Sequence, residues 1–306
     1  MARYIVIRLL HNLAVVAVVS TMVFVVTHAV GDPVRLLVPL NATQEQYERT
    51  RHQIGYDRSL LEQYVDFASK ALRGDFGDSW WQRRPALEIL LERLRATLEL
   101  VFSGFVIALA VGIPLGLVAS LRPNSWADRL LTLLSFSTLS VPSFWLGLML
   151  VIVFAVNLRL TPSFGRGSLA HLLLPAITMS ARSMGRIAQI VRSSMIDETN
   201  KQYMTTAEAK GLSHQAAVFR HALKNASIPI VTICGWQLGL LLGGATVVVE
   251  TVFSWPGLGQ LAIQAIQRQD LPLVQADVLF IALMVANLNL MVDILYAWLD
   301  PRTRLR

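Results

Sequence analysis

Two groups of residues in this chain could do chemistry, and in both the chemistry is binding rather than bond breaking. The first is Arg182, Arg186 and Gln189, spaced along LPAITMSARSMGRIAQIV, with Arg182 near the middle of a hydrophobic segment. Ionisable side chains inside a membrane span are costly unless they meet a partner or water. These residues are therefore candidates for lining a pathway, with Arg182 as a cavity-facing cation that attracts a carboxylate. The plainer account places them at a subunit interface or snorkelling toward headgroups. The second group lies in the polar segment Tyr203–Pro229, YMTTAEAKGLSHQAAVFRHALKNASIP, set between two hydrophobic segments. There Ala207 and Gly211 fall four apart, on one face of an expected helix, so a partner's surface could approach the backbone closely. Glu208, Lys210, Arg220 and His221 supply a charged rim. On residue types alone, an ordinary solvated loop is the simpler account.

Motifs for covalent or hydrolytic chemistry are missing from the sequence. It holds no GxxxxGK(S/T) phosphate loop, no HExxH metal pair and no GxSxG nucleophile turn. No catalytic residue and no metal ligand is expected, and the energy for any active transport must come from another chain. Cys234 stands alone inside an apolar run, which leaves no intramolecular disulfide and no cysteine cluster for metal or redox work.

The elements that position these residues follow from composition. Of 306 residues, 54% are hydrophobic and only 15% charged, with mean hydropathy +0.51. That balance belongs to an integral membrane protein rather than a soluble globule. The net charge of +7 is spread over loops rather than gathered on a water-facing domain, so lipid headgroups and orientation explain it better than nucleic acid does. The apolar run Leu9–Val30 behind Arg3 and Arg8 exceeds the core of a secretory signal, about 7–15 residues, and reaches the ~20 needed to span a bilayer. It reads as a retained first helix with a cytoplasmic N-terminus.

Hydropathy places five further spans at Leu98–Leu121, Leu130–Leu158, Leu172–Val191, Ile228–Val249 and Val274–Leu299. Six spans put both termini on one side. Bases on short loops assign that side to the cytoplasm: Arg122, Arg129, Arg192, Lys201, Lys210, Arg220, Lys224, Arg302, Arg304 and Arg306, against Arg159, Arg166 and Arg268 outside. The organisation expected is residues 1–30 as N-terminal segment and first helix, 31–96 as an outer-face segment, and 97–299 as a core of five helices. Within that core 196–225 is the cytoplasmic loop, and 300–306 form a cytoplasmic tail.

The outer segment is too long for a bare connector. Gly31-Asp32-Pro33 signals a turn, Thr43–Arg51 a surface helix, and Leu61, Tyr64, Val65, Ala68 and Leu72 a helical period over Leu60–Leu72. A small cap of short helices is expected on the outer face. Trp80 and Trp81 suit the headgroup level. Gly243-Gly244 and the Gly257/Gly259 pair, at or within apolar sequence, suit close helix packing or a surface turn. Asp293 near the inner end of span six is expected to pair with a base. Asn287 and Asn289 are expected to donate between helices, and Asp277 to sit near the outer surface.

The residues Thr205-Thr206-Ala207, followed by Gly211 after three more, resemble the EAA loop of ABC importer permeases, whose pattern is EAA, three residues, Gly, nine residues, then I-x-L-P. The chain departs from it at Thr205 and Thr206 for Glu and Ala, His221 for Ile and Lys224 for Pro, while Leu223 matches. Those departures are similar to the dipeptide, oligopeptide and nickel branch, with Tyr203, Thr206-Ala207, Ala209-Lys210-Gly211-Leu212-Ser213, Arg220-His221-Ala222-Leu223, Asn225-Ala226, Ile228-Pro229 and Val231-Thr232 as counterparts. Further signatures of that branch follow in order. They include Arg73-Gly74-Asp75-Phe76-Gly77, Ala96-Thr97-Leu98-Glu99-Leu100, Val141-Pro142-Ser143-Phe144-Trp145-Leu146, Arg192-Ser193-Ser194-Met195, Glu250–Gly259 and Leu299-Asp300-Pro301-Arg302.

The resemblance implies an all-α, six-helix type I importer permease of the first-permease type in a bacterial inner membrane. It implies a second homologous permease, two ATPase subunits and an extracytoplasmic solute-binding protein as partners. ATP and Mg would reside on the ATPases, with no cofactor in this chain. The coupling contact would be Thr205, Thr206, Ala207, Glu208, Lys210 and Gly211. Peptides lead as cargo because peptide uptake is the branch's commonest role. Nickel, metallophores and glutathione stay open, as does a secondary transporter or channel without ATPases, which would be expected to show inverted repeats or broken midspan helices.

Overall fold

The computed structural model describes residues 2–29, 33–39 and 41–299. Its helices are α1 (Ala2–Ala29), α2 (Pro33–Leu37), α3 (Gln44–Gln53), α4 (Leu60–Leu72), α5 (Ala86–Leu121), α6 (Trp126–Ser140), α7 (Ser143–Leu150), α8 (Leu169–Thr199), α9 (Gln202–Ala209), α10 (His214–Ala217), α11 (Leu223–Leu240), α12 (Thr246–Val252), α13 (Leu258–Gln267) and α14 (Leu271–Leu299). Three π-helical stretches, Val151–Asn157, Val218–Ala222 and Leu241–Ala245, continue α7, join α10 to α11 and join α11 to α12. No strand occurs among the described residues. The signatures at Gly31-Asp32 and Asp300–Arg302, and the tail bases Arg304 and Arg306, lie outside them.

The centre of the bundle is the pair α5 and α8, brought together by small residues at four-residue intervals. Gly104, Ala108, Gly112 and Gly116 are all buried on α5. A methyl group on Gly112 would come 2.8 Å from the Met184 carbonyl, and one on Gly116 2.6 Å from the Ala188 carbonyl. The two backbones therefore touch, the arrangement by which small residues drive association where apolar solvent offers no hydrophobic force. Gly185 does the same for α6, where a methyl would meet the Ser135 carbonyl at 2.8 Å.

Among the described residues, four helical stretches are long and apolar enough to cross a membrane, within Val6–Ala29, Ala86–Leu121, His214–Val252 and Leu271–Ile294. The expected span Leu130–Leu158 is two helices, Asp128–Ser140 and Ser143–Asn157, bent by 103°. Pro142 explains the break: it removes a donor and forces Val141 out of helical geometry, to φ −81° and ψ 125°. α8 is 31 residues long, about 46 Å at ~1.5 Å per residue, yet does not qualify by composition. Its buried faces carry Thr178, Ser180 and Ser183, and Arg182 and Arg186 interrupt the rest. α1 exposes Leu10, Leu13, Val18 and Met22 and is held chiefly against α14, where Arg8 pairs with Asp293 at 2.9 Å, as the sequence suggested for that acid.

The short helices after α1 start with capping boxes, at Thr43 for α3 and Ser59 for α4. They join α1 through His28, which contacts the Gln63 amide oxygen at 3.0 Å and stacks on Tyr56. Trp80 lines a cavity of about 770 Å³ beside them, while Trp81 lies under the Arg268 guanidinium, 5.2 Å from its ring centre.

A buried polar network closes this same end. Glu250, 0% exposed, accepts from the Thr97 hydroxyl at 2.7 Å and from the Gln260 amide at 3.0 Å. Thr97 in turn accepts from the Leu258 amide at 2.8 Å, so the start of α13 is tied to α5. The Trp255 indole donates to the Ala96 carbonyl at 2.8 Å, and Asp270 accepts from the Ser79 hydroxyl and the Trp81 amide. Gly257 and Gly259 leave room for the Glu250 carboxylate, and a methyl on Gly259 would come 2.6 Å from the Val247 Cα. The close-packing expectation fits this pair. Gly243 and Gly244 sit in a π-helical stretch with open space around them instead. Asp277, expected near the surface, is buried with neither carboxyl oxygen hydrogen-bonded. Asn287 donates to its own helix, at Leu283, and Asn289 lies against Gly239.

Candidate coupling surface and pathway

The polar segment folds as a short helical bracket between α8 and the long helix that begins at α10. α9 ends in a Schellman motif: the Gly211 amide donates to Glu208 at 2.9 Å and the Leu212 amide to Ala207 at 3.3 Å. Gly211 has φ +92°, a left-handed conformation that glycine adopts without strain. Lys210 is thus the end of the helix, and Gly211 does not continue the face of Ala207. That departs from the helix-face expectation, for the reason that a glycine four residues on can serve as the stop rather than as part of the stripe. Ser213 then caps α10, accepting from the Ala216 amide.

Burial divides the bracket into two sides. Met204 and Ala207 turn inward and pack with Ile187, Val191 and Met195 of α8 and with Ala217, Val218, Ala222, Ala226 and Ile230. Thr205, Thr206, Glu208, Lys210 and Gly211 are exposed. Glu208 bonds His214 across the turn at 2.7 Å, and Tyr203 donates to Glu198 at 2.8 Å. Burial pushes the Tyr203 phenol up from its ordinary range, so it keeps the proton it donates. Of the six residues expected to make the coupling contact, Ala207 serves the internal packing and the other five form one accessible rim. Arg220 is exposed and His221 half-buried, one turn into the π-helical stretch.

The bracket is joined to α6 through α8. Arg192, three residues before Met195, makes a two-pronged ion pair with the buried Asp128, whose second oxygen lies 2.7 Å from a guanidinium nitrogen. Asp128 also accepts from the Asn124 amide at 2.9 Å and, more weakly, from the Thr132 hydroxyl at 3.5 Å, so the buried carboxylate is well supplied with donors. Sequence reading gave Arg192 as a loop base and as part of a branch signature, and passed over Asp128. The signal available was an acid in the first turn of a capped helix, and nothing in one sequence links it to a base 64 positions on.

Arg182, Arg186 and Gln189 lie on one face of α8, at i, i+4 and i+7. Both arginines are exposed in the isolated chain. Gln189 is half-buried, and its amide nitrogen has no hydrogen-bond partner. No group of three or more His, Cys, Asp or Glu residues able to hold a metal occurs among the described residues. Cys234 is free, half-buried, and packs beside the bracket's apolar cluster.

Residues 112–305 match the family described as binding-protein-dependent transport system inner membrane component. Residues 1–101 match the N-terminal family of the same systems' membrane component. The chain is 39% identical over 305 residues to the glutathione transport system permease protein GsiC of Escherichia coli strain K12, covering 99% of each. It is equally similar to the protein of that name from Shigella flexneri serotype 5b, with the same coverage. Among solved structures it is similar in fold to a chain of the MetNI methionine ABC transporter in an inward-facing conformation. There the TM-score is 0.58 at 16% identity, covering 70% of this chain and 97% of that one.

Proposed function

The chain belongs to the binding-protein-dependent transport system inner membrane component family, as the permease component of an ABC importer, and on that premise we propose that it forms half of a pathway importing small peptides. Glutathione, itself a tripeptide, is the particular cargo that the 39% identity to GsiC over the whole chain supports. That identity is the observation on which the cargo rests. In the proposed orientation both termini and the α9–α10 bracket face the cytoplasm, six spans cross the inner membrane, and α3 and α4 form a cap on the outer face. The exposed rim of Thr205, Thr206, Glu208, Lys210 and Gly211 meets an ATPase subunit carrying ATP and Mg. A second homologous permease supplies the other half and docks a second ATPase subunit, and an extracytoplasmic solute-binding protein delivers cargo.

The mechanism follows from how the bracket is held. A push on its exposed rim passes through Met204 and Ala207 into α8, and from α8 through Arg192 and Asp128 into α6. Closure of the ATPase pair would rock these helices together, and hydrolysis would reset them. No residue of this chain acts on a bond. The test is ATP-dependent uptake by the assembled importer in proteoliposomes, comparing labelled reduced glutathione with a dipeptide. Uptake of either that requires the ATPases supports the reading. Uptake without them, from a chain that copurifies with no ATPase, would mark a secondary carrier and refute it.

A further inference from the structure

We propose that the α8 face of Arg182, Arg186 and Gln189 is an anion-binding stripe in the pathway, taking a carboxylate of the cargo. This rests on the import reading above and adds a ligand class to it. An arginine at the centre of a spanning helix is costly unless it meets a partner or water, so a pair kept one turn apart needs a compensating partner. The chain itself provides none: no ion pair or hydrogen bond holds either side chain among the described residues.

The neighbouring faces of α8 are already occupied. Gly185 lies against Ser135 and Thr138 of α6, while Ile187 and Val191 pack with Ala226 and Ile230 of α11. Between those contacts the two arginines of the stripe are left exposed. Snorkelling does not relieve Arg182. It sits ten residues before Arg192, about 15 Å along the axis at ~1.5 Å per residue, and Arg192 is where α8 meets the capped start of α6.

What the stripe offers selects its ligand. Two guanidinium groups present only donors, in a planar fork that matches a carboxylate. Gln189, half-buried on the same face, has an amide nitrogen without a partner and could join them on a side-chain rotation. A cationic metal ion would be repelled, and a neutral apolar molecule would leave every donor unsatisfied. A peptide with free carboxylates satisfies them.

The experiment uses the assembled importer in lipid, with Cys234→Ala and Ser193→Cys in this chain. Ser193 is exposed and lies on the same α8 face, two turns from Arg186. Modification by a negatively charged methanethiosulfonate, (2-sulfonatoethyl), and by a positively charged one, (2-trimethylammonioethyl), is read by mass on this chain, each rate referred to a free thiol. The stripe predicts that the anionic reagent is favoured about tenfold by the local potential. The preference falls to about one in Arg182→Gln/Arg186→Gln and returns in the double lysine variant. Glutarate slows the anionic reaction and its neutral diamide does not.

Absence of reaction with both reagents would mean the face is in lipid, and would overturn the proposal. So would equal rates in the parent chain, as expected if a carboxylate of the second permease neutralises the arginines, or equal protection by glutarate and its diamide. Loss of ATPase copurification would instead count against the import reading, while the labelling pattern would still judge the stripe.

Discussion

The two ends of this molecule are held together by opposite means. At the α13 end, buried carboxylates clamp backbone and hydroxyl donors drawn from segments far apart in sequence. Glu250 reaches Thr97 across 153 positions, and Asp270 reaches Ser79 across 191. At the α9 end, the bracket is seated by Met204, Ala207 and other small or apolar side chains, and its polar groups point outward. Buried hydrogen bonds are directional and expensive to leave unmade, so the first end is fixed in one geometry. Apolar contact with an exposed polar rim leaves the second a surface for another protein to grip. One end holds its shape, and on the proposed reading the other receives force.

Substitutions at the two ends should therefore fail differently. The largest effect expected is Glu250→Ala, which strips the Thr97 hydroxyl and Gln260 amide of their acceptor in a fully buried site. With about 1–3 kcal/mol per unpaired buried donor, the assembled complex in detergent should lose on the order of 3 kcal/mol, read as a fall in its unfolding temperature. Glu250→Gln, which keeps an acceptor, should lose less. A change of under about 0.5 kcal/mol in the alanine variant would mean the clamp contributes only shape.

Next comes Trp255→Phe, which keeps the buried ring and removes one donor to Ala96. The cost should be about 1 kcal/mol, and the same unfolding measurement checks it. Gly211→Ala at the other end should cost a similar ~1 kcal/mol, for the left-handed backbone alone, since a methyl there meets nothing within 4 Å. Its distinguishing result is that Gly211→Asn, a residue that tolerates this conformation, recovers most of the loss. Failure of asparagine to do so would point to a contact rather than a conformation.

Much of this contrast was legible in the residues, but unevenly. The helical class, the spans around α1, α5, α11 and α14, and the polar bracket follow from runs and interruptions of hydrophobicity, which are local. The bend at Pro142 was equally local and was passed over in favour of one long apolar window. α8 was expected as a span, and the helix is there, but it is too polar to qualify as a membrane crossing by composition, with Thr178, Ser180 and Ser183 buried along it. The polar clamp was hidden. Thr97 and Glu250 stood out only as members of branch signatures and Asp270 not at all, and only the tertiary fold brings each to its partners. Gly211 was read as part of a small-residue face with Ala207, although Lys210, Gly211 and Ser213 before a second short helix are equally the pattern of a helix stop.

The central claim is that the exposed rim of α9, and not its buried side, meets the ATPase. The direct measurement is site-specific cross-linking in the assembled importer, with Cys234→Ala and a single cysteine at either Thr206 or Ala207, using a short thiol-to-amine reagent. Thr206→Cys is predicted to give an adduct with the ATPase subunit whose yield changes on adding ATP, while Ala207→Cys, facing Met195 and Ala222, gives none. An ATPase that remains bound yet forms no adduct at position 206 would contradict the account.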